Sequence, residues 1–273
     1  MPLLWEIGGS SRLLWDLETF EAASLLREIG YTHFELWAEW PKGWPRNMSR
    51  EDRTRLRRLL TDLGLGISVH ATFRDLNLSS PNPGIREESV RQVVESVQLA
   101  ADLDADIVVV HPGRLASSRD DPREAWNLLI ESLRVVVREA ERLGLKVCVE
   151  NMDARPKEIV RTPGDLRRLV EEVGSKSLMV TLDAAHAGTV GDPAEFVLSL
   201  SDLVAHVHLS DYSREKLHLP LGRGELDLLR FLRALRDVGY AGVLVVEGYF
   251  PPRTKEVALE SYRVLMKALS EER

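Results

Sequence analysis

Short apolar runs recur along the chain at intervals of roughly 30–40 residues, separated by longer stretches with helical spacing. The runs fall at residues 3–7, 32–37, 65–71, 106–110, 146–150, 178–183, 203–209 and 243–247. Gly8, Gly9 and Ser10 close the first. Between the runs, residues 17–29 carry apolar positions at helical spacing and stop at Gly30, a natural helix end. Ser49 followed by Glu51 and Asp52 opens a second helix with acids in its first turn. Further helices are predicted over 86–103 and 122–143, after Thr162-Pro163 and Asp192-Pro193, and over 225–238 and 254–269. Residues 38–50, with Pro41 and Pro45, read as a loop.

Eight strand-then-helix units with short turns predict one domain over residues 1–273. Segments such as Val108-Val109-Val110 and Val243-Leu244-Val245-Val246 are apolar on both faces, as parallel strands covered by helices must be. The expected fold is an α/β (β/α)8 TIM barrel. An open doubly wound sheet would carry a GxGxxG loop after its first strand, and Gly8-Gly9 does not supply one.

In such a barrel every strand's C-terminal end faces the same mouth. From the third strand to the eighth those ends read His70, His111, Glu150, Asp183, His208 and Glu247. Burying several carboxylates at one point costs many kcal/mol unless a cation compensates. The pattern therefore predicts a metal site at the C-terminal mouth. Mixed carboxylate and imidazole donors suit Mn, Co, Mg or Zn. Glu150, Asp183, His208 and Glu247 make a metal quartet with open positions for neighbouring substrate oxygens. His70 and His111, bridged by Glu150, are placed for a second ion.

Composition narrows the class. No apolar run reaches the ~18–20 residues needed to cross a bilayer, and no leader pattern follows Met1, so a cytoplasmic location away from membranes is expected. A net charge of −7 argues against a general nucleic-acid binder. The single cysteine, Cys148, lies in a buried-strand pattern and reads as a core residue. A homo-oligomer is compatible with everything so far.

Six segments carry a resemblance: VVVHPG (108–113), VEN (149–151), LDAAHAG (182–188), HVHLSD (206–211), HLPLGRGELD (218–227) and VVEG (245–248). In this order, over nearly the whole chain, they resemble the xylose-isomerase-like barrel superfamily. It holds sugar and sugar-phosphate isomerases and epimerases, and the DNA-repair enzyme endonuclease IV. The resemblance to endonuclease IV implies a three-zinc ligand set at His70, His111, Glu150, Asp183, His186, His208, His218 and Glu247. The sequence departs at Lys216-Leu217-His218, where that enzyme has an aspartate two residues before the histidine; a cation at 216 opposes the third zinc. The resemblance to ketose 3-epimerases implies one metal on Glu150, Asp183, His208 and Glu247. Glu150 and Glu247 are then the catalytic pair that shuttles a proton beside the carbonyl through a metal-stabilised enediolate. His186 and Arg214 contact the sugar, and Gly222-Arg223-Gly224 resembles the corresponding segment. Here the departure is Pro156, where those enzymes carry a further glutamate. A divalent-metal-dependent sugar or sugar-phosphate isomerase or epimerase is expected, with the nuclease as the alternative.

His218 is grouped with the substrate contacts, since Lys216 deprives it of an acidic partner. Glu35, ending the second strand, is expected to reach the mouth and bind a hydroxyl or form a rim ion pair. Trp37, Trp40 and Trp44 are expected to roof the sugar; wedging into DNA beside Lys42 and Arg46, or a dimer contact, are the alternatives. His33 reads as a surface or packing residue, and His206 as a hydrogen-bonded core residue one layer below His208. Arg114 and Arg155 sit just past the mouth, where a phosphate would find them. The Arg53, Arg55, Arg57 and Arg58 cluster reads as a solvated helix face.

Overall fold

Eight parallel strands pair in chain order and close on themselves, each neighbour reached through a helical crossover. The computed structural model describes residues 5–272. The strands are β1 (Glu6–Ser10), β2 (His33–Trp37), β3 (Gly66–His70), β4 (Ile107–Val110), β5 (Lys146–Glu150), β6 (Leu178–Asp183), β7 (Val204–Leu209) and β8 (Val243–Val246). The helices are α1 (Thr19–Ile29), α2 (Arg50–Leu63), α3 (Pro83–Asp102), α4 (Pro122–Leu143), α5 (Pro163–Val173), α6 (Ala184–Val190), α7 (Pro193–Ser199), α8 (Leu228–Asp237) and α9 (Thr254–Glu271). This is a (β/α)8 TIM barrel.

Strand alternation divides two cores. Val108, Val110, Val147, Val149, Val180, Leu182, Val207 and Leu209 join the apolar core shared with the helices. The alternate positions fill the barrel; Val109 and Cys148 are apolar there, but Glu35, Ser68, Thr181 and His206 are polar and fully buried. A buried polar interior persists only if its groups satisfy one another, and that requirement shapes the site described below.

Helix starts follow local chemistry. Ser49 and Asp52 cap α2 reciprocally, as do Thr162 and Asp165 for α5. Asp121, Thr162 and Asp192 each accept a backbone bond just before a proline at the first helical position. Asn82-Pro83 is the same device, so α3 starts at Pro83, three residues ahead of the expected 86. At the other end of the sequence reading, α8 begins at Leu228 and not at 225, because Leu226 N–H is drawn to Asp211 Oδ1 at 2.9 Å.

The first strand is the larger correction. It runs from Glu6 to Ser10, and residues 3 and 4 of the expected strand lie outside the described residues. Gly8 and Gly9 are inside it. A Cβ on Gly8 would lie 2.8 Å from Val245 Cγ2, and one on Gly9 2.7 Å from Leu26 Cδ2. These glycines permit close packing on both faces of the strand; they do not end it.

Candidate metal centre

Four side chains converge at the C-terminal mouth. Glu150 ends β5, Asp183 ends β6, His208 lies in β7, and Glu247 immediately follows β8, its N–H bonded to Leu209 O at 3.0 Å. Register sets Asp183 beside His208. All four are buried. One donor atom from each of Glu150, Asp183 and His208 lies within 4.8 Å of the others, and Glu247 Oε2 is 2.9 Å from His208 Nδ1. Asp183 doubles as the cap of α6: one oxygen accepts from His186 N at 2.6 Å, which fixes the carboxylate and leaves Oδ2 without a hydrogen bond. Glu150 Oε2, His208 Nδ1 and Glu247 Oε2 are likewise buried with no hydrogen-bond partner. Four orphaned donor atoms on one small locus would each be costly, and a divalent cation satisfies all four with the donor types such ions take. The residues therefore fit a metal.

Two further groups flank the quartet. His70, His111 and Glu150 bring donor atoms within 4.8 Å of one another, as do Asp183, His186 and His218. Glu150 Oε2 lies 3.1 Å from His111 Nε2 and 3.5 Å from His70 Nε2, and its Oε1 lies 3.2 Å from His186 Nδ1. Ala71 O engages His70 Nδ1 at 2.9 Å, so His70 Nε2 is the atom turned to the mouth. His218 sits at φ 54°, a left-handed conformation uncommon outside glycine, with Nδ1 3.1 Å from Ser210 Oγ. The loop bearing it is clamped by Asp211, whose carboxylate accepts from Tyr212 N, Gly222 N and Leu226 N. A Cβ on Gly224 would fall 2.3 Å from that carboxylate. Arg223 pairs outward with Glu260. The Gly-Arg-Gly segment thus shapes the loop, and Arg223 is absent from the cavity lining.

Above the quartet lies a cavity of about 740 Å³ lined by Arg12, Trp37, His111, Glu150, His186 and Glu247 on its inner side and by Arg214 and His218 on its wall. Of the three tryptophans expected as a roof, only Trp37 lines it. Trp40 is 61 % exposed, and neither it nor Trp44 reaches the cavity. Lys42 is spent on Trp15 O and Leu17 O, and Arg46 on Glu95. Arg53 and Arg57 pair with Asp102 and Asp104. Lys42 and Arg46 are thus committed to partners within the chain, while Trp40 stays exposed away from the cavity.

Glu35 does not reach the mouth either. It is fully buried one layer down, where Oε2 accepts from Ser68 Oγ at 3.0 Å and meets His206 Nε2 at 2.8 Å, while Oε1 lies 3.0 Å from His208 Nε2. Ser68 Oγ in turn contacts His33 Nε2 at 3.0 Å, and His33 Nδ1 faces Glu6 at 3.3 Å. A carboxylate behind a metal-facing imidazole sets which ring nitrogen points forward. Here the Glu35 carboxylate lies against His208 Nε2, and Nδ1 faces Glu247.

Arg12 is the functional residue that sequence reasoning missed. It lies two residues past the end of β1, donates from Nη1 to Glu247 Oε1 at 2.9 Å, and stacks over Trp37 with 4.5 Å from Cζ to the ring centroid. Placing the first strand three residues early hid it, since Arg12 then lies in the connection that follows Gly8-Gly9-Ser10 and not beside a strand end. Arg12→Ala leaves one oxygen of a buried carboxylate unpartnered, a loss of about 1.5–3 kcal/mol for a charged hydrogen bond. Arg12→Lys is expected to recover only part of it, because the flat guanidinium also stacks. Thermal unfolding of the two variants checks this; equal melting of all three proteins would refute it.

Charges at the centre are strongly perturbed. For His208, burial, the largest influence, opposes the imidazolium. Glu35, Glu247 and Glu150 together outweigh it and hold the pKa well above the ordinary value. His186, likewise opposed by burial, is raised by Asp183 and Glu150 to about 10. Burial pushes Asp183 up to about 6 and His218 down to about 3. Burial also lifts the Cys148 thiol to about 12, which makes it inert as a nucleophile at neutral pH. The sign for metal binding follows. His208 carries a proton in the metal-free protein, a metal needs the neutral ring, and so the ion must displace that proton. Metal affinity should rise with pH up to the raised His208 value, with roughly one proton released per ion at neutral pH. Titration calorimetry in buffers of different ionisation enthalpy measures that release; pH-independent affinity with no release would exclude His208 as a ligand.

The fold and this site define a class. The chain belongs to the xylose isomerase-like TIM barrel family, whose model matches residues 23–268. A solved structure described as a D-tagatose 3-epimerase-like protein superposes with a TM-score of 0.86 over 98 % of each chain, at 29 % identity. The D-psicose 3-epimerase of Ruminiclostridium cellulolyticum is 26 % identical over 195 residues, 68 % of this chain and 64 % of that one. A probable endonuclease 4 of Aquifex aeolicus is 25 % identical over 240 residues, 81 % of this chain and 83 % of that one. Among the described residues no helix is long and apolar enough to cross a membrane.

Proposed function

We propose that the protein is a divalent-metal-dependent sugar isomerase or epimerase that moves a proton on the carbon beside a carbonyl. The observation that carries this reading is the set of four orphaned, buried donor atoms on Glu150, Asp183, His208 and Glu247 at the base of a polar cavity. A sugar acid–base reaction needs two carboxylates near one carbon and donors for the neighbouring oxygens. Glu150 and Glu247 both line the cavity, and each is the candidate to take or return the proton. When bound, the metal would withdraw charge from the carbonyl and adjacent hydroxyl oxygens and stabilise the enediolate. Arg12 anchors the inactive oxygen of Glu247, so its other oxygen is presented in one orientation. His186 and Arg214 are placed to hold sugar oxygens, and Trp37 walls the inner side. Glu35 acts behind His208 and does not touch the substrate.

A second reading has a specific observation behind it. Glu150 and Asp183 each belong to two donor groups, so His70 with His111, and His186 with His218, could extend the quartet to several ions, as a nuclease of the endonuclease 4 kind would require. Metal counting separates the two. We expect one tightly held manganese, cobalt, magnesium or zinc ion per chain, and deuterium exchange at the carbon beside the carbonyl when ketoses are incubated in heavy water. Three zinc ions per chain with cleavage of a duplex at an abasic site would replace the epimerase reading with the nuclease. Metal removal should also lower stability: an ion present at about 100 times its dissociation constant contributes roughly 2.7 kcal/mol. An unchanged melting temperature on chelation would argue against any resident ion.

A further inference from the structure

The cavity is charged differently at its two ends. Its inner side holds Glu150 and Glu247, while its rim carries Arg114 from the segment after β4, Arg155 from the segment after β5, and Arg214 and Lys216 from the segment after β7. Arg155 is neutralised by Asp153, whose Oδ1 lies 2.8 Å away. Arg114, Arg214 and Lys216 differ: among the described residues none of their side chains forms an ion pair or a hydrogen bond, and all three are exposed at the edge of the cavity. Elsewhere on this surface arginines such as Arg46, Arg53, Arg142, Arg167 and Arg230 are paired with carboxylates. Glu215 shares the rim and is the acid an anion would have to avoid; Glu158, behind Arg114, has its carboxyl pushed up by burial.

We infer that the rim is an anion subsite and that the sugar handled by the centre carries a phosphate monoester at the end remote from the metal. This rests on the sugar isomerase or epimerase reading above. Three unpaired cations border one cavity, on segments that follow strands three apart in the ring, and a phosphate dianion is the ligand such donors take. In barrels of this kind the segments after the seventh and eighth strands are a frequent phosphate site, and Arg214 and Lys216 are in the first of these. A polyanion fits less well: a net charge of −7 repels it, and the three cations border one cavity and form no track.

The test is equilibrium binding to the manganese-loaded protein, read by titration calorimetry with fructose and fructose 6-phosphate. Wild type should bind the phosphorylated ketose about tenfold more tightly or better. An Arg114→Ala/Lys216→Ala double variant, shown to melt like wild type, should lose that preference while its fructose affinity is unchanged. Equal affinity for the two ketoses in wild type overturns the inference. So does a preference that survives in the variant, which would mean the phosphate reaches the metal directly. An abasic-site duplex bound more tightly than either ketose, and weakened by the same variant, would also overturn it by making the rim a nucleic-acid contact. Binding is read without turnover. A phosphate preference without proton exchange therefore supports the subsite while the isomerase reading fails, and proton exchange on free fructose without that preference does the reverse. If neither ketose binds, both fall.

Discussion

Glu150→Gln is expected to lower turnover by about 10²–10⁴-fold, the usual contribution of a positioned acid–base group, and to weaken the metal site as well. Glu150 is the hub of the centre: its two oxygens lie within 3.7 Å of ring nitrogens of His70, His111, His186 and His208. Glutamine keeps the volume and removes both the negative charge and one acceptor. The surrounding rings then lose the charge that raises His70, His186 and His208. They should give up protons more readily, so less proton should be displaced per ion. Turnover is followed by deuterium exchange on the ketose, and metal affinity by calorimetry on the same protein. A variant that exchanges at the wild-type rate would remove Glu150 from the chemistry, whatever its effect on the ion. Glu247→Gln is the control, since Arg12 donates to one of its oxygens and His208 Nδ1 lies 2.9 Å from the other. If the two glutamates divide the proton transfers, each variant alone should be severely impaired.

Glu35→Ala carries the second large effect, and it acts at a distance from the substrate. The side chain is fully buried beneath the centre, held by Ser68 and His206 and facing His208. Removing one member of a buried charged set costs about 3–5 kcal/mol, because its partners remain buried and uncompensated. Loss of the group behind a ligating imidazole typically costs 10–100-fold in metal affinity. Both losses are expected here. A merely structural role would lower stability and leave metal affinity alone, so the two measurements part the cases. Glu35→Gln should restore most of the stability, since its amide can still bond Ser68 or His206, and little of the affinity, since it offers His208 no charge. Equal metal affinity in wild type and Glu35→Gln would sink the positioning role.

Both predictions depend on groups whose partners are far apart in the chain, and that decides how much could be read from the sequence. The eight strand-helix units, the closed barrel and the placing of one side chain at each of six strand ends follow from local rules: apolar period, cap residues and parallel topology. Those rules fail where a glycine is used for packing. Gly8 and Gly9 read as a strand end because their neighbours, Val245 and Leu26, are not visible in sequence. The error displaced the end of β1 and concealed Arg12 behind it. Asn82-Pro83 was hidden in the same way, a helix start lying among loop prolines.

The sequence by itself determined the eight strand-helix units, that they close in order, and that Glu150, Asp183, His208 and Glu247 share a mouth. Residue type and strand periodicity suffice for that, because each depends on near neighbours. The sequence did not foretell the short α6, which the Asp183 side chain caps. Only the tertiary structure decided what each polar side chain meets. Glu35 turned inward to stand behind His208, Trp40 and Trp44 were left off the cavity, and Arg12 was paired with Glu247 across 235 residues. A strand's period places a side chain inside or outside the ring. Its depth, and its partner across the barrel, are set by the register of all eight strands together.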